Sequence, residues 1–570
     1  MKLFSRFSPL GIKPSVGNRA LGVFVWCVVA LMLPNLLLAF TEGYNPWSAV
    51  AGVVLPLGFY LLLSALIHKV SVVILLLLPV LVLCAVQLVL LYLYGNSIIS
   101  VDMFTNIFTT NPSESRELLG GLLPIIAIVT LLYLPLFALA IGHLSDRHWS
   151  LSERIRGRVA MVGAVLTIIG MQLLYPACSV AEGSHIVRSE IFPVNALHNL
   201  RIAIANHIAE QRYPLRASSF DHAAHRHCGA PQREIYLLVV GESSRAANWE
   251  MYGYPRSTNP RLGLRKDIVL FRNILTQSNT THKSVPMMLS SADAENYAEL
   301  FDRKGIADIF SQAGFRTCFI STQSPQGAMV DHLARECDDV IYIGAPNHDL
   351  QLLQPLRQIV DTHTDSDILC VLHCYGSHYR YNQRYPEEYR RFLPEDGVAV
   401  NKRNIEALRN AYDNSIYYTD TLLDSLVEYL SSLDLCAALL YCSDHGEDLF
   451  DDERGRFLHA SPKVSYYQLH VPCLAWFSRE YRDCYPGKVA MAQRHRWAPA
   501  STCAIFHTMA DIASIESPYV DCRKSLTSVE FDESAPRLYL NDRNEAVRLN
   551  ARIGIVGLDH SEFLRHGVNL

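Results

Sequence analysis

The sequence predicts two architectures in one chain: an N-terminal five-helix transmembrane domain and, after it, an α/β doubly wound domain. Three observations carry this. Five apolar stretches crowd the first third of the chain, each about as long as the ~20 residues that cross a bilayer core. Beyond residue 233, short apolar runs alternate with helical patterns, as in a sheet with helices on both faces. Two of those runs stop at acidic residues, where ligands gather in open α/β sheets. With 570 residues, half of them hydrophobic and 18% charged, the chain has material for both cores. A net charge of −5 argues against a nucleic-acid partner.

The apolar stretches are residues 21–40, 49–67, 70–94, 122–144 and 159–177. The first is too long for a removable signal peptide and lacks a small-residue cleavage site. Lys2, Arg6, Lys13 and Arg19 precede the first stretch. His68 and Lys69 separate the second and third, and Arg147, Arg154, Arg156 and Arg158 separate the fourth and fifth. Basic connectors stay in the cytoplasm. The opposite connectors, residues 41–48 and 95–121, hold one arginine between them. An odd number of spans then places everything after Cys178 outside the cytoplasm. Of the 14 cysteines, Cys27 and Cys84 lie inside spans and the others on the oxidising side. Cys473/Cys484 and Cys503/Cys522 are candidate near pairs, whereas Cys370, Cys374 and Cys442 sit in strand-like runs as buried thiols.

The outer connector is too long for a turn. Asn111, Pro112 and Glu114 read as N-cap, first helical residue and capping-box acid. Asn106, Thr110 and Glu114 read equally as a polar patch at the membrane surface, with Glu114 suited to a cationic amine. Residues 182–216 are amphipathic and suit helices lying on the bilayer or bridging to the next domain. The linker after them carries His222, His225 and His227, which in such a segment read as solvated. The expected domains are therefore residues 1–178, a bridge at 179–232, and 233–570.

In the last domain, strands are expected at residues 236–240, 317–321, 340–343, 368–372, 438–442 and 473–477, with helices at 300–313 and 404–430. The first strand runs into Gly241-Glu242-Ser243, and another into Ser443-Asp444-His445-Gly446-Glu447. A Glu and an Asp-His pair delivered to one rim make an oxygen/nitrogen site for a divalent metal, zinc first. Further islands are Asn279-Thr280-Thr281-His282-Lys283-Ser284-Val285-Pro286, His373-Cys374-Tyr375-Gly376-Ser377-His378, and Phe457-Leu458-His459. Together they offer metal ligands, a hydroxyl nucleophile and spare imidazoles.

On these islands, and on Tyr252-Gly253-Tyr254-Pro255-Arg256 with Asn259-Pro260, the chain resembles the phosphoethanolamine transferases of Gram-negative envelopes. These belong to the alkaline phosphatase/sulfatase superfamily and include the lipid A-modifying enzymes of polymyxin resistance. The resemblance spans nearly the whole chain and includes the Asn106…Thr110…Glu114 spacing. It implies a multi-pass protein of the bacterial inner membrane with its catalytic domain in the periplasm. It also implies one or two zinc ions, with Glu242, Thr281, Asp444 and His445 as ligands. Thr281, five residues before Pro286, would be the nucleophile, which a bound zinc activates. His378 and His459 would contact phosphate or a second zinc and assist the leaving group. Asn106, Thr110 and Glu114 would cradle the head group of the donor, phosphatidylethanolamine. The acceptor would be lipid A, the lipopolysaccharide core or a periplasmic glycan.

The chain departs from the lipid A enzymes of that family at several points. Gln277 and Met287 stand where those enzymes carry two cysteines around the nucleophile loop. His282-Lys283 follows the threonine in place of small or apolar residues. A lysine near the donor phosphate is replaced around Gln326, and Lys283 is the candidate to supply that charge. Two other readings compete: a phosphoglycerol transferase or sulfatase-like hydrolase, and a non-catalytic envelope scaffold. No Cys-x-Pro-x-Arg stretch sits at the nucleophile position, and a scaffold has no need of four metal-site residues.

Overall fold

A computed structural model of the chain describes residues 16–42, 44–94, 98–109, 112–180, 186–226, 229–325, 328–395, 402–461, 463–549, 555–568 and 570. They form two compact units: residues 1–100 with 118–202, and residues 101–117 with 203–570.

The first unit is helical. Its long elements are α1 (Val16–Thr41), α2 (Pro46–Leu66), α3 (Val70–Leu76) and α4 (Leu78–Tyr94). After α5 (Val101–Thr109), which belongs to the second unit, come α6 (Pro112–Gly142) and α7 (Glu153–Val180). Asn45 caps α2 by accepting from the Ser48 amide at 3.0 Å, and Pro46 occupies the first turn, where no amide donor is needed. α2 and α7 pack closely because Gly58, Gly163 and Gly170 leave no side chain between the backbones.

Four of the described helices are long and apolar enough to cross a membrane: Arg19–Thr41, Pro46–Leu66, Leu122–Gly142 and Glu153–Ser179. The third expected span is different. It is a pair, Val70–Leu76 and Leu78–Tyr92, bent by 61° at Leu77, and counted as one broken span it makes the fifth. Pro79 explains the break: it has no amide to donate to the preceding turn and its ring crowds that turn, but it fits the start of a new helix. The two basic connectors lie together. Lys69 pairs with Ser150, and Arg156 donates to the Ala65 carbonyl at 3.1 and 2.9 Å. This is the arrangement expected of segments on one side of a bilayer.

The amphipathic segment forms α8 (Ile186–Ser189) and α9 (Val194–Arg216). The histidines that follow are not simply solvated. His222 is buried, 2.9 Å from Asp308, and His225 pairs through its backbone with Glu516, while His227 lies outside the described residues.

The second unit is built on a seven-stranded sheet. Its strands are β1 (Glu234–Gly241), β2 (Ile268–Phe271), β3 (Arg316–Ser321), β4 (Asp339–Tyr342), β5 (Ile368–His373), β6 (Cys436–Ser443) and β7 (Cys473–Phe477). The spatial order is β2-β7-β6-β1-β5-β3-β4. The strands from β6 to β4 run parallel, while β7 is antiparallel to both its neighbours. β1, β5 and β6 are buried along their whole length, which is why they read as continuous apolar runs. The helix Ile405–Ser431 packs against β6 and buries Leu408, Tyr412, Ile416 and Leu423.

Two expectations are corrected. The helix expected at 300–313 is a short 3-10 turn, Tyr297–Phe301, followed by Ile306–Gln312, interrupted at the charged, glycine-containing stretch 302–305. Cys473, Cys484, Cys503 and Cys522 are all free, so neither candidate disulfide forms; Cys473 instead faces Cys442 across β6 and β7.

Candidate metal centre and nucleophile

β1 and β6 end in register, with Gly241 opposite Ser443, so Glu242 and Asp444 leave the sheet side by side. The Asp444 amide donates to the Gly241 carbonyl at 3.0 Å, which locks the two exits together. Glu242, Asp444 and His445 are fully buried, and one ligand atom from each lies within 4.8 Å of the others. His445 Nε2 is 3.3 Å from Asp444 Oδ2 and 3.6 Å from Glu242 Oε1. Its Nδ1 is 3.0 Å from the Gly446 carbonyl, so that nitrogen carries the proton and Nε2 keeps its lone pair for a metal.

Thr281 is the first residue of α10 (Thr281–Met288). Its Oγ1 lies 3.1 Å from Glu242 Oε2 and 3.1 Å from His445 Nε2, inside the same cluster. The loop before it is tied down on every side. Thr276 Oγ1 donates to the Asp444 carbonyl at 2.5 Å, and the Asn279 amide donates to Ser461 and Gln468 at 2.8 and 2.7 Å. Tyr539 donates to Asn279 at 2.7 Å, and the Leu540 amide to the Gln277 carbonyl at 2.7 Å.

The electrostatics call for a cation. Burial pushes the Glu242 carboxyl above its ordinary range, with Asp444 adding to the rise, and burial pushes Asp444 up to about 7. Burial likewise holds His445 below the usual histidine value. Two carboxylates and an imidazole lone pair, converging away from water, are each costly alone and fit a divalent ion together.

Several residues serve the cluster without having been singled out in the sequence. Ser243 has φ of 55°, donates its hydroxyl to Glu242 Oε1 at 2.6 Å, and its amide to Asp444 Oδ1 at 3.0 Å. A left-handed serine beside a ligand is local strain held by the surrounding bonds. Gln323 donates to Glu242 Oε2 at 3.2 Å. Gly376, at φ +51°, lets its loop approach so closely that a Cβ there would strike the Glu242 backbone. No sequence signal marks Ser243 or Gln323 beyond their nearness to strand ends.

His459 lies tilted against His445 at 4.1 Å between ring centroids, and His378 lies 6.4 Å from His459. Glu447 Oε1 is 2.9 Å from His459 Nδ1 and orients the ring. Burial, with the neighbouring imidazoles of His445 and His378 adding to the fall, holds His459 well below the histidine range, so it is neutral at pH 7. Lys283 does not meet its expectation. It is buried with its ammonium 2.7 Å from Asp102, so its charge is matched inside the protein rather than offered to a phosphate. Thr110 and Gln326, and the side chains of Asn106 and Glu114, lie outside the described residues.

Comparison with known proteins gives matches on both regions. Residues 55–208 match the family model described as phosphoethanolamine transferase EptA/EptB, and residues 234–515 match the sulfatase model. The chain is 27% identical over 453 residues to phosphoethanolamine transferase EptA of Salmonella typhimurium, covering 74% of this chain and 79% of that protein. Its fold is similar to that of the integral membrane protein lipooligosaccharide phosphoethanolamine transferase A from Neisseria meningitidis. That similarity has a TM-score of 0.71 at 23% identity, over 88% of this chain and 98% of that one. The periplasmic domain of Escherichia coli EptC, solved in complex with Zn, matches with a TM-score of 0.52 at 24% identity, over 57% of this chain and 95% of that one. With both regions matched in one chain, and with the membrane-type helices and the sulfatase-like sheet that such a match requires, the protein is similar along most of its length to the phosphoethanolamine transferases.

Proposed function

We propose that this enzyme moves phosphoethanolamine from phosphatidylethanolamine to lipid A or the lipopolysaccharide core, by way of a covalent phosphoethanolamine-Thr281 intermediate. The carrying observation is the position of Thr281 Oγ1, 3.1 Å from both Glu242 and His445 within the three-residue donor set. The relatives are transferases of this group, and one is named for lipooligosaccharide. The protein is multi-pass in the bacterial inner membrane, with its catalytic domain in the periplasm.

The donor set fits zinc, and the Zn complex of the EptC domain supports that choice. When bound by Glu242, Asp444, His445 and Thr281, zinc would lower the pKa of the threonine hydroxyl and keep the carboxylates ionised. The chain supplies the rest. Thr281 Oγ1 gives up its proton and attacks the phosphorus of the donor, the bond to the glycerol oxygen breaks, and diacylglycerol leaves as its oxygen takes up that proton. An acceptor hydroxyl or protonated phosphate oxygen then attacks the same phosphorus, and the threonine oxygen departs and recovers its proton from the acceptor. His459, oriented by Glu447 and neutral at pH 7, can take the acceptor proton, and His378 lies beside it for the phosphoryl oxygens. Asn106, Thr110 and Glu114, on the connector that belongs to the catalytic unit, are the proposed seat of the ethanolamine head group. The functional division proposed remains residues 1–178 for the membrane, 179–232 as bridge and 233–570 for catalysis. Each transfer adds an amine to an anionic acceptor and thereby weakens its hold on cationic peptides.

The test is full-length protein in detergent with fluorescent phosphatidylethanolamine. Labelled diacylglycerol should appear, and intact mass should show one phosphoethanolamine on the wild type and none on Thr281→Ala. An adduct that survives Thr281→Ala, or full turnover after chelation of the metal, would defeat the reading.

A further inference from the structure

The nucleophile helix is gripped from a second direction, outside the donor set. Asp102 sits in the first turn of α5, on the connector that clusters with the catalytic unit. Its carboxylate is buried. Oδ1 lies 2.7 Å from Lys283 Nζ and 3.1 Å from His282 Nε2. Lys283 is 1% exposed and also donates to the Asn541 carbonyl at 3.2 Å. His282 is buried as well. Three polar side chains from two separate segments therefore converge on the residues immediately after Thr281.

Such a cluster is a poor way to gain stability. Withdrawing a carboxylate and an ammonium from water offsets most of their attraction, and apolar residues of similar size would hold the segments together as well or better. What the pair adds is direction. A charge-assisted bond fixes where both partners point, and here it reaches the second and third residues of an eight-residue helix. The first turn of a helix otherwise frays readily, because its amides have no partners within the helix. In α10 that turn carries the Thr281 hydroxyl.

We propose that Asp102 is a positioning residue for the nucleophile: by holding His282 and Lys283 from the connector helix, it fixes the first turn of α10 and so the direction in which Thr281 presents Oγ1 to Glu242 and His445. This rests on Thr281 being the nucleophile. It assigns Lys283 to the same device, and it joins the segment that carries Asn106 to the attacking group through one ion pair. Asp102 bonds to His282 and Lys283 and not to Glu242, Asp444 or His445, so its loss should appear in the rate of attack and not in zinc content or donor binding.

The experiment compares full-length wild type with Asp102→Asn, Asp102→Glu, Lys283→Met and the Asp102→Asn/Lys283→Met double variant. Initial rates with fluorescent phosphatidylethanolamine are measured beside zinc content, melting temperature and the rate of adduct formation by quenched intact mass. For Asp102→Asn the expectation is a fall in kcat of about tenfold to a hundredfold, the range that a small misplacement of a reacting group produces. KM for the donor should stay within about twofold and zinc content should be unchanged, both as marks of positioning rather than binding. Asp102→Glu should recover part of the rate, and the double variant should be no slower than the slower single variant, because both remove one interaction. Wild-type kcat in Asp102→Asn overturns the proposal, as does a loss confined to KM or one matched by lost zinc or a collapsed melting temperature. Absence of any adduct on the wild type would instead refute the underlying nucleophile assignment, and the positioning role with it.

Discussion

At Gly446 the demand for a missing side chain is absolute. A Cβ there would run into the Tyr467 carbonyl oxygen and the Cβ of Arg245, backbone and rigid stem that cannot swing aside. Gly446→Ala should cost about 3 kcal/mol, the overpacking scale, and should lower zinc content because Gly446 accepts from His445 Nδ1. Thermal unfolding and metal analysis check both. Arg245 makes a second residue-scale prediction. It is buried, donates to both Asp451 oxygens at 2.7 and 2.9 Å and to the Glu447 carbonyl at 2.9 Å. Arg245→Met strands Asp451 without its partner, and a loss of about 3–5 kcal/mol is expected. Pairing it with Asp451→Leu should restore much of that loss in the same unfolding assay. At this scale the sequence was most legible where one residue type serves one chemistry: Glu242, Asp444, His445 and Thr281 are brought together by the structure as a donor set with a hydroxyl in it. It was least legible where a residue acts through another. Ser243 matters by a left-handed backbone, Gln323 by a bond across loops, and Lys283 by an ion pair with a residue 181 positions away in the chain, none of which a residue type announces.

Elements were legible in proportion to their burial. β1, β5 and β6 are unbroken apolar runs because both faces are covered, and the expected ranges fall inside them. β2 was missed: four residues, alternately half-buried and buried, at the sheet edge, give too short a pattern to separate from a loop. The third membrane stretch was read as one helix because hydropathy carries no record of Pro79's missing donor. The short helix Tyr466–Leu469 shows how an element can make stability depend on pH. His470 ends it, with Nδ1 accepting from the Tyr466 hydroxyl at 2.9 Å and Nε2 donating to the Arg272 carbonyl at 2.9 Å. The bond that Nδ1 accepts needs the neutral ring, and burial holds its pKa down to about 3. The folded state thus binds fewer protons than the unfolded one between about pH 3 and the ordinary histidine value near 6.5. Stability is complete above that upper value and is lost as pH falls below it. At pH 5 the loss from this residue is about 2 kcal/mol by the same linkage. Melting temperatures between pH 7 and 5 should fall in the wild type and fall less steeply in His470→Gln. Equal slopes would mean that other groups carry the acid sensitivity.

At the scale of the whole molecule, the membrane helices and the donor chemistry have to be considered together. The proposed donor, with two acyl chains, has almost no free concentration in water, so on that proposal its encounter with Thr281 is a search within the bilayer surface. The apolar helices, four long ones and one broken pair among the described residues, confine the enzyme to that same surface and convert a search in volume into a search in two dimensions. The rate should then follow the surface mole fraction of phosphatidylethanolamine and not its bulk amount. In vesicles holding the full-length enzyme, replacing nine-tenths of the phosphatidylethanolamine with phosphatidylcholine should lower the initial rate by about tenfold below saturation, as for any reactant diluted in its own phase. Diluting the same vesicles tenfold with buffer should leave turnover per enzyme unchanged. The reverse pattern, with sensitivity to bulk dilution and indifference to surface composition, would show that donor arrives through water and would overturn the two-dimensional search.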